Sequence, residues 1–281
     1  GDLDGDGKLD LATANYDAPG GVAPTGTTVS ILRNTSSVGS ISFAAKVDVT
    51  TGTGPIGLAL GDVDGDGKLD LAVGNKADNS VSLIRNLSVS GTLSFDSKVD
   101  FSLGTSPRMV AFGDLDGDGK LDLAVAGATN STVSVFRNTA SSGTFTTGSF
   151  ATQVDFTTGN SGWGLAIGDM DGDGKLDLVA ANYGGGSGNS VSIFRNTASS
   201  GTIDTGSFAA KVDFTTSVAP YRMVLADVDG DGKPEVLAGA LENSRVSVLH
   251  NNSTSGTITV AAKADFQTGS VQGLAVGDLD G

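Results

Sequence analysis

Hydrophobic and small residues alternate in a short run that returns at a long and regular interval along the chain. One copy reads Leu58-Ala-Leu60, and successive copies start 51 to 58 residues apart. Large side chains on one face, with mostly Gly or Ala on the other, predict a strand that neighbouring strands approach closely. We interpret this run as the innermost strand of a repeated sheet. Its counterparts are Val110-Ala-Phe112, Leu165-Ala-Ile167, Met223-Val-Leu225 and Leu274-Ala-Val276.

Three further strands are predicted in each repeat. The second strand covers residues 69–73, the third covers 81–86 and ends in Arg85-Asn86, and the fourth covers 95–101, with equivalents at 150–156 and 208–214. The fourth strand carries a recurring Lys-x-Asp, and lysine on an outer strand protects an exposed edge. Four antiparallel strands per repeat, small residues inside and charges outside, predict an all-β protein built from β-propeller blades.

An acidic loop separates the first strand from the second, and it reads Asp-Val-Asp-Gly-Asp-Gly-Lys-Leu-Asp over residues 62–70. Side-chain oxygens at positions 1, 3, 5 and 9, with the carbonyl at position 7, form the donor set that Ca²⁺ prefers, at roughly 2.3–2.6 Å. Gly67 lies where a sharp turn requires positive φ. A solvated acidic turn is the alternative, but four like charges in nine residues repel without a counter-ion.

The loop occurs five times in full, and its first aspartates are 60, 52, 55 and 58 residues apart. A sixth copy begins 51 residues later, at 278–281, and is cut off by the chain end. We predict about five Ca²⁺ ions, one per complete loop, in a single propeller domain of residues 1–281, because such a period is typical of propellers. The predicted ligands are Asp2, Asp4, Asp6, Lys8 and Asp10; Asp62, Asp64, Asp66, Lys68 and Asp70; Asp114, Asp116, Asp118, Lys120 and Asp122; Asp169, Asp171, Asp173, Lys175 and Asp177; and Asp227, Asp229, Asp231, Lys233 and Glu235.

Other acidic loops do not fit the pattern. An EF-hand needs a bidentate Glu at position 12 between two helices, whereas position 12 of the second loop is Val73 and the following residues read as a strand. The chain has only two glutamates, 42 glycines and no cysteine. Poverty in strong helix formers agrees with an all-β protein.

The net charge of −15 is concentrated in the loops, which hold 22 of the 32 acidic residues. Five bound Ca²⁺ ions would leave about −5 by simple charge counting. Nucleic acid and anionic membranes are therefore not expected partners, and hydrophobic residues are too scattered for a membrane span. Weak calcium loops fill where calcium is near millimolar, which predicts an extracellular or cell-surface location. Because the chain begins and ends inside a motif, we interpret it as a piece of a longer secreted protein.

The run of residues 61–74 resembles the FG-GAP repeat of integrin α-chain propellers and bacterial FG-GAP-like proteins. The resemblance covers nearly the whole chain, and it implies that the loop joins the first two blade strands and binds Ca²⁺. The Phe-Gly and Gly-Ala-Pro signatures of the family are mostly missing, as at Pro55-Ile56-Gly57. Integrin propellers have seven blades and this chain has repeats for five. The resemblance thus implies a fold and a metal, but no integrin-like partner.

The chain termini predict how the ring closes. The first repeat lacks its first strand, and residues 271–277 read as a first strand without the rest of its blade. We expect the two ends to complete a fifth blade, with residues 271–276 beside the strand that begins at Leu9. Because residues 277–281 duplicate residues 1–5, the alternative is a five-blade segment of a larger propeller.

Aromatic residues predict a second functional region. The position six residues before each motif holds a different residue in each repeat, and the loops between second and third strands add two tyrosines. Both sets are expected on the face away from the metal loops, where amphipathic rings suit stacking on sugars or partners. Packing of these loops over the central channel is the alternative. The candidate ligand-binding residues are Trp163, Tyr221, Tyr183, Tyr16 and Arg108, while Ile56 and Gln272 hold the remaining repeat positions.

Catalysis finds little support, because the chain has one His, no Cys, and nearly all its paired carboxylates in the loops. We do not expect an enzyme, and a polysaccharide lyase is considered by analogy of fold alone. Two hypotheses remain. The chain is a binding or adhesion module for a glycan or an extracellular protein, or it is a purely structural domain of a surface or secreted protein.

Overall fold

Strands make up almost all the regular structure of this protein. The computed structural model describes residues 1–18 and 23–278, so residues 279–281 of the predicted sixth loop lie outside the described part. Within that part the only helical element is a 3₁₀ turn at Gly184–Gly186. None of the described residues forms a helix long and apolar enough to cross a membrane.

Five antiparallel sheets follow one another along the chain as β1–β3, β4–β7, β8–β11, β12–β15 and β16–β19. Strands are adjacent in sequence order within each sheet, as predicted. First strands are β4 (Pro55–Gly61), β8 (Pro107–Gly113), β12 (Gly162–Gly168) and β16 (Pro220–Ala226). Second strands are β1 (Leu11–Asn15), β5 (Asp70–Asn75), β9 (Asp122–Gly127), β13 (Asp177–Asn182) and β17 (Glu235–Ala240). Third strands are β2 (Thr28–Leu32), β6 (Ser80–Ile84), β10 (Thr132–Phe136), β14 (Ser190–Phe194) and β18 (Arg245–Leu249). Fourth strands are β3 (Val47–Thr50), β7 (Val99–Ser102), β11 (Val154–Thr157), β15 (Val212–Thr215) and β19 (Ala264–Gln267).

The chain forms two compact units. Unit 1 comprises Gly1–Phe112 and Asn138–Thr152, and unit 2 comprises Gly113–Arg137 and Gln153–Gly281. Each unit has a core between the faces of consecutive sheets. In unit 1, Val29 and Ile31 pack with Leu71, Val73 and Ile84. In unit 2, Val179, Val191 and Ile193 pack with Val236 and Leu249. All residues of β5, β13 and β17 are buried, and the four central residues of each strand are apolar or glycine.

Small residues on the first strands permit close packing, as the alternating pattern predicts. A Cβ added to Gly57 would lie 2.9 Å from the carbonyl oxygen of Arg108 in the next first strand. At Gly164 the corresponding contact would be 3.2 Å from the carbonyl oxygen of Tyr221. These contacts are with backbone, which cannot move aside easily. Glycine is therefore favoured at these two positions.

A polar chain crosses the outer three strands of the first, second and fourth sheets, whose second strands end in Asn. In the second sheet, Asn75 donates from Nδ2 to the Ser82 hydroxyl at 2.8 Å, and Ser82 donates to Asp100 Oδ1 at 2.6 Å. Lys98 forms an ion pair with the other oxygen of Asp100. The Lys-x-Asp pattern therefore anchors the fourth strand as well as protecting its edge. The same ion pair forms between Lys46 and Asp48, Lys211 and Asp213, and Lys263 and Asp265.

The fourth strands are shorter than predicted. The sequence places the start of one at Phe95, whereas β7 begins four residues later at Val99. Phe95 instead forms a single bridge with Asn86, and Asp96 donates its N–H to the Arg85 carbonyl at 2.9 Å. The Asp96 side chain then accepts the N–H of Ser97, so the ladder is interrupted before Val99. The starts predicted at residues 150 and 208 are also wrong, since both positions form isolated bridges that precede the fourth strand.

The first sheet has three strands among the described residues, and β1 has only β2 as a neighbour in it. The strand predicted over residues 271–276 is not formed there, because residues 270–278 lie outside every strand. Val271 is nevertheless buried, and its side chain fills the space beside the Cα of Gly239 in β17. Closure of the ring by the two ends stays a prediction.

Candidate metal loops and an aromatic cluster

Backbone N–H groups hold the carboxylates of each acidic loop on its inner side. In loop 2 (residues 62–70), Asp62 accepts the N–H of Asp66 at 3.0 Å and of Gly67 at 2.8 Å. Asp64 also accepts from Asp66 at 3.2 Å, and Asp66 accepts from Lys68 at 3.0 Å. Gly67 has φ of 86°, as the sequence predicts, so a residue with Cβ would be strained there. Loop 1 (2–10), loop 3 (114–122), loop 4 (169–177) and loop 5 (227–235) repeat this arrangement.

Convergent carboxylates in these loops could hold a metal ion. In each group, one oxygen or nitrogen from every member lies within 4.8 Å of the others. The groups include predicted ligands from all five loops, and in loop 5 they also include His250, which the sequence analysis did not select. They are Asp2, Asp4 and Asp6; Asp62, Asp64 and Asp66; Asp114, Asp116 and Asp122; Asp169, Asp171 and Asp177; and Asp229, Glu235 and His250.

The acid at position 9 has a structural task in addition to its predicted role as a ligand. Asp70 accepts the N–H of Val63 at 3.0 Å and the N–H of Asn86 at 2.9 Å, so it joins its own loop to the end of the third strand. Burial raises the pKa of Asp70 to about 6 and the pKa of Asp177 to about 7. A cation in the loop would favour the ionised carboxylates.

Loops 1–4 are each fastened to the following repeat. The Asn86 side chain donates from Nδ2 to the Leu69 carbonyl of its own loop at 2.9 Å and to the Leu3 carbonyl of loop 1 at 2.8 Å. This bridge was not predicted from the sequence, although the Arg-Asn that recurs at the end of the third strands was a usable signal. The equivalent bonds to the preceding loop run from Asn138 to Val63, from Asn196 to Leu115 and from Asn251 to Met170.

A glycine N–H from the next repeat donates to the carboxylate at position 3 in three loops, and loop 3 differs. The covered oxygens belong to Asp4, Asp64 and Asp171, which accept from Gly91, Gly143 and Gly256 at 2.8 to 3.1 Å. In loop 3, Gly201 donates to the backbone carbonyl of Asp116, and Asp116 Oδ2 is buried without a hydrogen-bond partner. Asp116 lines a cleft of about 470 Å³ beside the connector that includes Ser200.

The unpartnered oxygen of Asp116 is the observation that fits a metal. Burial raises the pKa of Asp116, and the neighbouring Asp118 raises it further, so its charged form is destabilised as the loop stands. A buried carboxylate oxygen without a partner is costly, and a cation would satisfy it. All the loop donors are oxygens, which fits a hard divalent cation such as Ca²⁺ better than a soft one.

Arginines of the Arg-Asn pairs supply positive charge to the loops. Arg85 Nε lies 2.5 Å from Asp64 Oδ2, and its Nη2 lies 2.6 Å from Asp66 Oδ2. In other repeats the contact is looser, with 3.9 Å between Arg33 and Asp4 and between Arg195 and Asp173. In loop 5 the imidazole of His250 takes the place of this guanidinium.

Three of the predicted aromatic residues form one cluster in unit 2. The ring centroid of Trp163 lies 4.6 Å from that of Tyr183 and 4.6 Å from that of Tyr221. The two tyrosine rings are 5.9 Å apart and nearly perpendicular. All three side chains are half-buried, and the 3₁₀ turn Gly184–Gly186 follows Tyr183 directly. We call these three residues the aromatic cluster.

Two of the three cluster residues lie at β-bulges in first strands. The pairing register shifts between Gly162 and Leu165, on either side of Trp163, and between Pro220 and Arg222, on either side of Tyr221. A bulge changes the direction of a side chain and is often found beside a functional site. Loops 4 and 5 follow the other ends of β12 and β16, so the aromatic cluster and these loops lie at opposite ends of the strands.

The other two candidate residues lie in unit 1. Tyr16 accepts a hydrogen bond from Lys76 Nζ at 2.6 Å, and that ammonium group also lies 5.2 Å from the centre of the Tyr16 ring. Arg108 is half-buried at the second position of β8, the position that Trp163 and Tyr221 hold in β12 and β16. Neither residue is a member of the aromatic cluster.

Comparisons with known proteins agree with the repeat. A search of curated proteins found no match. A solved structure of a protein from Lactobacillus plantarum is similar with a TM-score of 0.56 at 15% identity, over 95% of this chain and 69% of that one. The V. cholerae biofilm matrix protein Bap1 gives a TM-score of 0.44 at 13% identity, over 88% of this chain and 38% of that one. The family model described as FG-GAP-like repeat matches residues 2–73, 62–125, 114–180, 169–238 and 227–281. Five overlapping matches therefore cover the chain from end to end, and the protein belongs to the FG-GAP-like repeat family.

Proposed function

We propose that this chain is a calcium-stabilised extracellular binding domain, in which the acidic loops hold Ca²⁺ and the aromatic cluster binds a glycan or a protein. The calcium part is supported by the loop geometry. In loops 1–4, residues at positions 1, 3, 5 and 9, with the carbonyl at position 7, hold the ion. Calcium supplies the positive charge that the convergent carboxylates of these loops lack.

The role of calcium is structural. The ligands of each loop come from one continuous segment between two strands, so the ion has no pair of helices to move. Side-chain amides such as that of Asn86 bond the backbone of the preceding loop. Holding one loop in shape therefore also positions the repeat that follows it.

The aromatic cluster is the single observation that carries the binding proposal. Trp163, Tyr183 and Tyr221 present three half-buried rings in mutual contact. Such rings stack well on the apolar faces of sugars and on partner side chains. The guanidinium of Arg222 lies 5.3 Å from the centre of the Tyr221 ring and adds a donor beside the cluster. The adjacent turn has glycine at three successive positions, so it carries no side chains that would cover the rings.

The extracellular location in this proposal is supported by the family and by the predicted metal. FG-GAP repeats are typical of extracellular proteins. Weak calcium loops are filled where calcium is near millimolar, as it is outside the cell. The proposal assigns the chain no catalytic role.

A glycan array in 2 mM Ca²⁺, followed by fluorescence titration of any hit, tests the binding proposal. Trp163 is the only tryptophan of the chain, so its emission reports directly on the aromatic cluster. We expect a saturable change of emission with the bound glycan. An array without hits, together with no change of emission when extracellular matrix proteins are added, would favour the purely structural alternative.

A further inference from the structure

The fifth loop differs from the other four in chemistry as well as in position. His250 stands where the first four repeats have arginine, and Glu235 stands where they have aspartate. An arginine is always charged and has no lone pair to offer a metal, whereas a neutral imidazole nitrogen is a common metal ligand. This one replacement converts a position that repels cations into one that can bind them.

The structure brings the imidazole to two carboxylates of loop 5. His250 Nδ1 lies 2.9 Å from Asp229 Oδ2 and 3.4 Å from Glu235 Oε1. Ligands of a tetrahedral ion with bonds of 2.0–2.1 Å lie about 3.3 Å apart. The distances from the imidazole nitrogen to the two carboxylate oxygens are therefore close to the separation of ligands around one small ion, and all three ligand atoms lie within 4.8 Å of one another.

Hydrogen bonds hold the buried member of this triad in place. Glu235 is almost fully buried, and its Oε2 accepts the N–H of Val228 at 2.9 Å. Its Oε1, the oxygen that faces His250, accepts the N–H of Asn251 at 3.3 Å. Such outer hydrogen bonds orient carboxylate ligands and strengthen metal sites.

We propose that Asp229, Glu235 and His250 form a site for a divalent transition metal of the zinc class, distinct in selectivity from the all-oxygen loops 1–4. One nitrogen and two carboxylate oxygens favour Zn²⁺ or Co²⁺ over Ca²⁺, which takes oxygen ligands. Three protein ligands leave a fourth position open. This site does not depend on the aromatic cluster or on calcium in the other loops.

The alternative is that His250 is protonated and pairs with Asp229 as arginine does elsewhere. Calorimetric titration of the untagged protein with ZnCl₂ in 2 mM Ca²⁺ separates the two. Because the chain has one histidine and no cysteine, zinc binding that depends on an imidazole or a thiolate has a single possible origin. We expect one zinc per chain, and CoCl₂ should give visible absorption bands of a low-coordinate ion.

Two variants test the ligand. His250→Arg installs the residue of the other repeats, and His250→Gln removes the imidazole without adding charge. Both should lower zinc affinity by at least about 100-fold and leave melting in calcium nearly unchanged. Arg195→Gln, at the same position of the fourth repeat, is the matched control and should bind zinc normally.

Three results would overturn the proposal: no zinc bound by the wild type at 100-fold excess, unchanged affinity in both His250 variants, or an equal loss in Arg195→Gln. If His250→Arg does not fold, His250→Gln decides alone. None of these results bears on calcium, which is read separately from the effect of EGTA on melting.

Discussion

Asn86 donates a hydrogen bond of 2.8 Å to the carbonyl of Leu3, a residue 83 positions earlier in the chain. The same amide nitrogen donates to Leu69, and Asn86 Oδ1 accepts the N–H of Ser88 at 2.9 Å. One fully buried side chain thus connects two consecutive metal loops and the start of its connector. Such side chains couple the conformation of one repeat to that of the next.

Replacing Asn86 by alanine should destabilise the protein by roughly 2–5 kcal/mol, because two buried carbonyls and one N–H lose their partner. Denaturant unfolding measures this loss. Asn34→Ala is the matched control, since Asn34 is half-buried and donates only to Leu9 of its own loop. The control should cost about 1 kcal/mol. Equal losses in the two variants would contradict a special role of the bridge to the preceding loop.

Removal of calcium should lower the melting temperature. An ion bound only by the folded state stabilises by about 2.7 kcal/mol per site when its concentration is 100 times the dissociation constant. Scanning calorimetry with EGTA, with excess Ca²⁺ and with Mg²⁺ in place of calcium measures the effect and its selectivity. An unchanged melting temperature in EGTA would show that calcium does not stabilise the fold.

The metal-free protein should become less stable as pH rises from about 4 to 7. Burial raises the folded-state pKa of Asp70 to about 6 and of Asp177 to about 7, above the value near 3.9 in the unfolded chain. In this window the folded state binds more protons than the unfolded state, so the stabilising effect is complete below pH 4 and is lost as these carboxyls ionise.

Urea unfolding in EGTA at pH 4.5 and pH 7.5 measures this pH effect. The carboxyls whose pKa is lowered, Asp48 through Lys46 and Asp265 through Lys263 and Ser247, titrate below the window and do not obscure it. Excess calcium should reverse the trend, since the ion binds only the ionised carboxylates. Metal-free protein that is more stable at pH 7.5 than at pH 4.5 would contradict the raised values.

Trp163→Ala should lower the affinity for the glycan or protein identified for the aromatic cluster by at least about tenfold. The substitution should cost about 1–2 kcal/mol of stability, because the ring is half-buried and packs on two tyrosines. Ile56→Ala changes the same repeat position in β4 and is the control. Retained binding in Trp163→Ala, or unfolding of this variant in calcium, would show that Trp163 serves the fold instead.

The sequence predicted the repeat, the strand types and the metal loops because these properties are local. Alternation at Leu58 and Leu60, the glycine at position 67 and the four carboxylates of loop 2 each depend on a few neighbouring residues. The juxtaposition of Trp163 with Tyr221 also followed from repetition, since equal positions in consecutive repeats lie side by side. Periodicity thus carried information over more than 50 residues of chain.

Tertiary structure decided what depends on contacts between repeats. The hydrogen bond from Asn86 to Leu3 and the approach of His250 to Glu235 each join residues that are distant in the sequence. The buried oxygen of Asp116 lacks a partner because of how neighbouring elements pack. No local sequence pattern predicts such contacts. His250 was not predicted as a ligand from the sequence. The start of the fourth strand was misplaced because the Phe95 bridge is set by the ends of neighbouring elements. Local composition determines which strands and loops form, and packing between sheets determines which of their polar groups remain available for a ligand.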